Sequence, residues 1–204
     1  ITEAGDEADN YERYKFTDSG ISPRALPGIP GYEHVVASDE HMPDGVLISD
    51  EYTHPHKRRA MMEKRQRKMG GLLEDLPPPV IVGDSNAEVT LVGWGSTAGV
   101  IQEAIEQLAT VGVVANHLHF KWIVPFHADE AVELLSSCKR TILIENNYSG
   151  LFHRYMRGET GFTVDGHIRK YDGEPFKPRH IVTAVQKQLE GEETLSVPYE
   201  EIIV

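Results

Sequence analysis

Apolar residues in this chain are phased differently on the two sides of the Pro77-Pro78-Pro79 run. Beyond it, short continuous apolar stretches alternate with stripes of helical period. Val89-Thr90-Leu91-Val92 is such a stretch, as expected of a strand covered on both faces. Gly93-Trp94-Gly95-Ser96-Thr97-Ala98-Gly99 follows, and then Val100, Ile101, Ala104, Ile105, Leu108 and Ala109 recur at helical spacing, which predicts strand, tight turn, helix. Val113 to Ala115 and His117 to Phe120 supply a second strand, Ala131, Val132, Leu134 and Leu135 a second helix, and Thr141 to Ile144 a third strand. These strands begin 24 and 28 residues apart, the size of a strand-helix-strand unit, so the sheet is expected to be parallel. Leu151, Phe152, Tyr155 and Met156 mark a third helix, His167 to Tyr171 a weaker strand, and Pro178 opens a last helix carrying Ile181, Val182, Val185 and Leu189. Residues 80–190 therefore read as a three-layer α/β domain with a mostly parallel sheet.

Residues 1–79 have another character. Eight of the twelve prolines fall there, and proline fixes φ and removes a backbone donor, so little regular structure is expected. Up to Asp50 there are 11 acidic and 3 basic residues and no sustained apolar period, which reads as an extended arm. Its Tyr11, Tyr14, Phe16, Ile21, Leu26 and Ile29 favour an arm laid along a partner surface over full disorder. Between Thr53 and Leu76, Met62, Met69, Leu72, Leu73 and Leu76 recur at helical spacing behind Pro55, predicting one helix weakened at Gly70 and Gly71. Lys57, Arg58, Arg59, Lys64, Arg65, Arg67 and Lys68 crowd into 12 positions of that helix, opposed there only by Glu63. The tail, 191–204, is acidic, and is expected to be solvated or draped on a partner.

Composition narrows the function. With 204 residues and a formal net charge of −12, the surface as a whole repels nucleic-acid backbones and anionic lipid, so the basic helix is read as meeting acidic protein surface of its own chain or of a partner, not RNA. A single cysteine, Cys138, can form no internal disulfide and cannot hold a thiolate zinc site or an iron–sulfur cluster, and the cytosol is the expected compartment. No apolar run approaches the roughly 20 residues of a membrane span. Ile1 is not an initiator, so the chain reads as a piece of a longer one.

Candidate chemistry is sparse. The turn at Gly95, Ser96 and Thr97 would expose backbone N–H groups to an anion. It lacks both the Gly-Lys-Ser/Thr of a phosphate loop and the glycine spacing of a dinucleotide fingerprint, and reads better as a turn with Ser96 or Thr97 capping the helix. Glu145-Asn146-Asn147 ends the third strand, where ligands of open α/β sheets bind, and Glu145 is either a base or a helix cap. His54 with His56, and His117 with His119, have the spacing of paired metal ligands, but no carboxylate or thiol of suitable spacing accompanies either pair, and they are assigned as structural. No Gly-x-Ser-x-Gly elbow is present. No catalytic or metal-binding residue is assigned.

Several segments read in order are more specific than any one of them. Tyr11-x-Arg13-Tyr14-x-x-Thr17-x-x-Gly20-Ile21-Ser22-Pro23-Arg24-x-x-Pro27-Gly28, Asp39-Glu40-His41 and Met62-Glu63-Lys64-Arg65-x-Arg67-Lys68 resemble the C-terminal third of the alpha subunit of 2-oxoacid:ferredoxin oxidoreductases. So do Val92-Gly93-Trp94-Gly95-Ser96-Thr97-x-Gly99, Pro125-Phe126, Glu145-Asn146-Asn147-x-x-Gly150 and Lys170-Tyr171-Asp172-Gly173-x-Pro175-Phe176, most closely those of the 2-oxoglutarate type. His127, Leu151 and Ala98 stand where that family often has proline, glutamine and lysine.

The resemblance implies a transketolase C-terminal-like domain with a five-stranded, mostly parallel sheet. It also implies an enzyme that oxidatively decarboxylates a 2-oxoacid, reduces ferredoxin and acylates coenzyme A. Thiamine diphosphate, Mg2+ and a [4Fe-4S] cluster would then belong to a beta subunit, substrate contacts to alpha-subunit domains before Ile1, and this chain would serve structure and assembly with no cofactor of its own. Its nearest approach to the Gly-Asp-Gly…Asn diphosphate motif, Asp172-Gly173, follows Tyr171 and precedes no asparagine. Arg24, Arg58 and Arg65 are the expected interface residues. A pyruvate- or branched-chain-specific relative and a free-standing module binding an anion at the Gly95 turn remain alternatives.

Overall fold

The computed structural model describes residues 11–36, 39–48, 54–191 and 194–197. The chain divides into two compact units, Ile1–Leu76 and Pro77–Val204.

In the first unit, helix α1 (Pro55–Asp75) starts with proline in its first turn, where a missing N–H costs nothing, and ends at Leu76, whose extended backbone leads into the proline run. It is continuous through Gly70 and Gly71. The described part of the arm, which the sequence led us to expect along a partner surface, makes contacts with this helix. Gly20 explains how the chain comes so close: at φ 77°, a Cβ there would stand 2.5 Å from the Lys64 carbonyl oxygen and 2.8 Å from the Lys68 nitrogen. Lys64, buried, donates to the Tyr14 carbonyl at 2.7 Å and to Ser22 Oγ at 2.5 Å, pinning two points of the arm to one turn of α1. Tyr11 holds the next stretch, donating to the Pro23 carbonyl and accepting from the Ala25 N–H.

The second unit is a six-stranded sheet between two helical layers. Its strands are β1 (Ile81–Gly83), β2 (Val89–Trp94), β3 (Ala115–Phe120), β4 (Thr141–Glu145), β5 (Gly166–Arg169) and β6 (Thr194–Ser196). Their order is β1-β3-β2-β4-β5-β6, with β1 antiparallel to β3 and the other five parallel. The helices α2 (Ala98–Thr110), α3 (Ala128–Ser137), α4 (Leu151–Thr160) and α5 (Pro178–Leu189) connect the parallel strands.

Side-chain alternation sorts the core into two clusters. Val89, Leu91, Ile142, Ile144 and Ile168 pack with Ile101, Ala104 and Leu108 of α2 and Ile181 and Val185 of α5. Val92, Leu118, Phe120 and Leu143 pack with Ala131 and Leu135 of α3 and Phe152 and Met156 of α4. Both clusters exclude water, which is why β2 and β4 read as unbroken apolar runs. Two strands were not anticipated. β1 is a short edge strand, and β6 takes Thr194–Ser196 out of the tail expected to be solvated and pairs it with β5. Asp165 joins neighbouring strands by accepting from both the N–H and the hydroxyl of Thr141.

Candidate functional site

The chain leaves β2 towards α2 and β4 towards α4, and these helices pack in different core clusters, on opposite faces of the sheet. β2 and β4 are neighbours, so their carboxyl ends flank the crevice where open α/β sheets bind ligands. Both loops singled out in the sequence lie there.

The first is the 3-10 turn Gly95–Thr97. Gly95 has φ 58°, and Thr97 Oγ1 donates to the Trp94 carbonyl at 2.9 Å and accepts from the Trp94 N–H at 3.2 Å. Thr97 is buried and spent on the turn itself, while Ser96 is exposed. Gly93 is required just before it, since a Cβ would lie 2.4 Å from Ile101 Cδ1 and 2.7 Å from Thr97 Oγ1. A hydrogen bond with the Gly95 backbone also restrains the His119 ring, whose pKa is nonetheless lowered by burial.

The second loop starts with Glu145, which is 1% exposed. Its Oε1 accepts from the Phe152 N–H at 2.8 Å and from Asn147 Nδ2 at 3.0 Å, and its Oε2 from the His153 N–H at 3.4 Å. Asn147 Oδ1 accepts from the N–H groups of Gly150 and Leu151 at 2.8 and 3.0 Å. The two side chains satisfy the otherwise orphaned first N–H groups of α4, and the carboxylate is favoured at the positive end of that helix. Of the two roles open to Glu145, the geometry supports the cap. At the rim, Tyr148 and Tyr171 meet edge to face at 5.0 Å and both remain exposed.

The other candidate polar groups have partners within the chain. Asp172 is ion-paired with Lys170, whose hydrogen bond holds the Asp172 carboxyl below its ordinary pKa, and it also accepts from the Glu174 N–H. Cys138 donates to the Leu134 carbonyl at 3.2 Å. Among the described residues no three His, Cys, Asp or Glu side chains gather as metal ligands. The His54–His56 and His117–His119 ring centroids lie 6.1 and 5.2 Å apart. A tighter pair, His153–His167 at 4.4 Å, escaped sequence reading because its members come from α4 and β5, with no spacing rule to join them.

The three expected interface arginines have different surroundings. Arg58 and Arg65 converge on Glu40, itself 1% exposed: Arg65 Nη2 meets Oε1 at 2.7 Å and Arg58 Nη1 meets Oε2 at 3.0 Å. Arg24 is exposed and has no hydrogen bond or ion pair among the described residues.

Residues 87–181 match the family described as pyruvate:ferredoxin oxidoreductase core domain II. The chain is 34% identical over 194 residues, 93% of its length, to 2-oxoacid:ferredoxin oxidoreductase 2, subunit alpha, of Aeropyrum pernix. It is 31% identical over 168 residues, 82% of its length, to 2-oxoglutarate oxidoreductase subunit KorA of Mycobacterium tuberculosis. The solved 2-oxoglutarate:ferredoxin oxidoreductase from Magnetococcus marinus, with 2-oxoglutarate, coenzyme A and succinyl-CoA bound, superposes with a TM-score of 0.72 at 27% identity, covering 92% of this chain and 32% of that one. The chain belongs to the 2-oxoacid:ferredoxin oxidoreductase alpha-subunit family. It spans 29% and 24% of the lengths of the Aeropyrum and Mycobacterium relatives. The relatives are subunits of oxidoreductases, and of the ordered motifs that carried the resemblance those from Val92 to Phe176 fall within residues 87–181. Among the described residues no helix is long and apolar enough to cross a membrane.

Proposed function

We propose that this chain is part of the alpha subunit of a coenzyme A-acylating 2-oxoacid:ferredoxin oxidoreductase and that its oxoacid is 2-oxoglutarate. In that reaction the bond between the keto carbon and the carboxylate breaks, carbon dioxide leaves, a thioester to coenzyme A forms, and two electrons pass to ferredoxin with release of one proton. The observation that carries the reading is the similarity to the Magnetococcus 2-oxoglutarate enzyme over 92% of the chain. The Mycobacterium relative, also a 2-oxoglutarate enzyme by name, supports the same oxoacid.

Within such an enzyme the chain's own part is structural. Glu145, Asn147 and Thr97, the polar groups best placed at the sheet crevice, are committed to helix starts, and Asp172 is committed to Lys170. Thiamine diphosphate, Mg2+ and the cluster are assigned to a beta subunit, and substrate contacts to other alpha-subunit domains. The free-standing anion-binding module has no observation in its favour, since the one buried hydroxyl of the Gly95 turn faces its own backbone.

The test is to produce the chain with its complete alpha subunit and the beta subunit and to follow ferredoxin reduction with coenzyme A. We expect kcat/KM for 2-oxoglutarate to exceed that for pyruvate by at least roughly tenfold, because an enzyme that holds the second carboxylate leaves its cations unpaired with the shorter acid. Equal rates, or a preference for pyruvate or a branched-chain oxoacid, would refute the 2-oxoglutarate assignment. No oxoacid-dependent reduction at all would refute the activity.

A further inference from the structure

The first unit contains a cavity of about 390 Å³ between the arm and α1, lined by Arg13, Arg24, Lys64, Arg65 and Lys68, with Tyr14, Ile21 and Met61 supplying apolar wall. Its size is at the lower end of small-molecule sites. Its charge is unusual for a chain of net −12. Glu40 balances Arg65, but Arg13, Arg24, Lys64 and Lys68 have no carboxylate within ion-pairing distance among the described residues.

Lys64 sharpens the point. It is 5% exposed, its two hydrogen-bond acceptors are neutral oxygens, and its ammonium otherwise has the Phe16 ring, 5.8 Å away at the centroid, and no carboxylate among the described residues. Burial lowers its pKa to about 8, with Lys68, Arg13, Arg65 and Arg67 adding to the effect. A buried ammonium ringed by like charge is costly unless an anion completes it. Arg24 and Lys68 face the same cavity from the arm and from the helix, and both are exposed without a partner, so an incoming ligand need displace no internal ion pair.

We infer that this cavity is a binding site for a small oxyanion of at least two negative charges, a phosphate ester or a polycarboxylate, held by Arg24, Lys64, Lys68 and Arg13. Guanidinium forks fit the oxygens of either group, and the ammonium ions add point charge. The site stands on the first unit alone and does not depend on which oxoacid the enzyme takes. It also gives the crowding of cations in the basic helix a use beyond the two that Glu40 neutralises.

Calorimetric titration of the full chain with inorganic pyrophosphate and, separately, with citrate tests this and tells the two ligand chemistries apart. We expect one anion per chain with a dissociation constant below about 1 mM. The paired substitution Arg24→Gln and Lys68→Gln, at two exposed positions, should weaken binding roughly tenfold or more. Lys57→Gln with Arg59→Gln removes the same charge from α1 outside the cavity and should leave binding unchanged. Affinity should also fall as pH rises from 8 towards 10 and Lys64 loses its proton. Equal weakening by both pairs would mean diffuse attraction to a basic helix and would overturn the site, as would no saturable heat from either anion up to about 10 mM.

Discussion

At the scale of single residues, Glu40 decides how the arm closes on α1. Its carboxylate is buried, yet the Arg58 and Arg65 side chains that grip it remain 47% and 39% exposed. Removing the carboxylate therefore returns two guanidinium groups to water instead of stranding them, so the cost is less than that of breaking a fully buried pair. We expect Glu40→Ala to destabilise the first unit by about 1–3 kcal/mol, the range for charge-assisted hydrogen bonds. Urea titration followed by the fluorescence of Tyr11 and Tyr14 would report it, and no change in midpoint would show that the pairs are ornamental. The sequence displayed the basic run and the Asp39-Glu40-His41 segment but not their pairing, because the partners lie 18 and 25 residues apart and no local period connects them. Lys64 was readable only as one more cation. Its place one turn beyond Met61, the apolar residue of α1 that is also buried, was the available signal.

At the scale of elements, half-buried histidines make the sheet sensitive to acid. His117 on β3 has its pKa pushed down to about 4, first by burial and then by neighbouring His119. His167 on β5 is likewise lowered to about 4, by burial first, then by His153 of α4 and by Arg169. In the unfolded chain both return towards 6.5. Above that value both states are neutral and pH has no effect through these groups. Between about 6.5 and 4 the unfolded chain takes up protons that the folded one refuses, so stability falls as pH falls. Melts of the second unit at pH 7.5, 5.5 and 4.5 should show this, and His117→Gln with His167→Gln should flatten the dependence. An unaltered slope in the double variant would place the acid sensitivity elsewhere. The strands bearing these histidines were legible from their alternation: β3 was expected from Val113 to Phe120 and runs Ala115–Phe120, and the weaker β5 was expected from His167 to Tyr171 and runs Gly166–Arg169. β1 was not, since it has three residues, sits at an edge and leaves Val82 exposed. β6 was hidden by the acidic composition around it, which outweighs a three-residue pairing in any local reading.

At the scale of the whole molecule, the two units are held together internally by different forces. The second has water-excluding apolar clusters on both faces of its sheet. In the first, the buried apolar side chains among the described residues are Ile48 and Met61, and the others buried with them include Glu40, His41 and Lys64. Small domains bury too little surface to be robust, and one closed mainly by charged and polar contacts is further exposed to screening, which at about 1 M salt acts over only ~3 Å. Apolar burial does not depend on such charge pairing and is not weakened by screening. We therefore expect two thermal transitions. The earlier one should belong to residues 11–76 and move down in 1 M sodium chloride, and the later one to residues 77–197 and hold its place. Trypsin offers an independent check, because seven of its target residues lie between Lys57 and Lys68. Cleavage there should precede any loss of the sheet, leaving a resistant product that begins near the Pro77-Pro78-Pro79 run and retains its far-ultraviolet circular dichroism. A single salt-insensitive transition, with both units digested at one rate, would mean that they fold as one cooperative body and that the polar packing of the arm on α1 contributes as firmly as the apolar core.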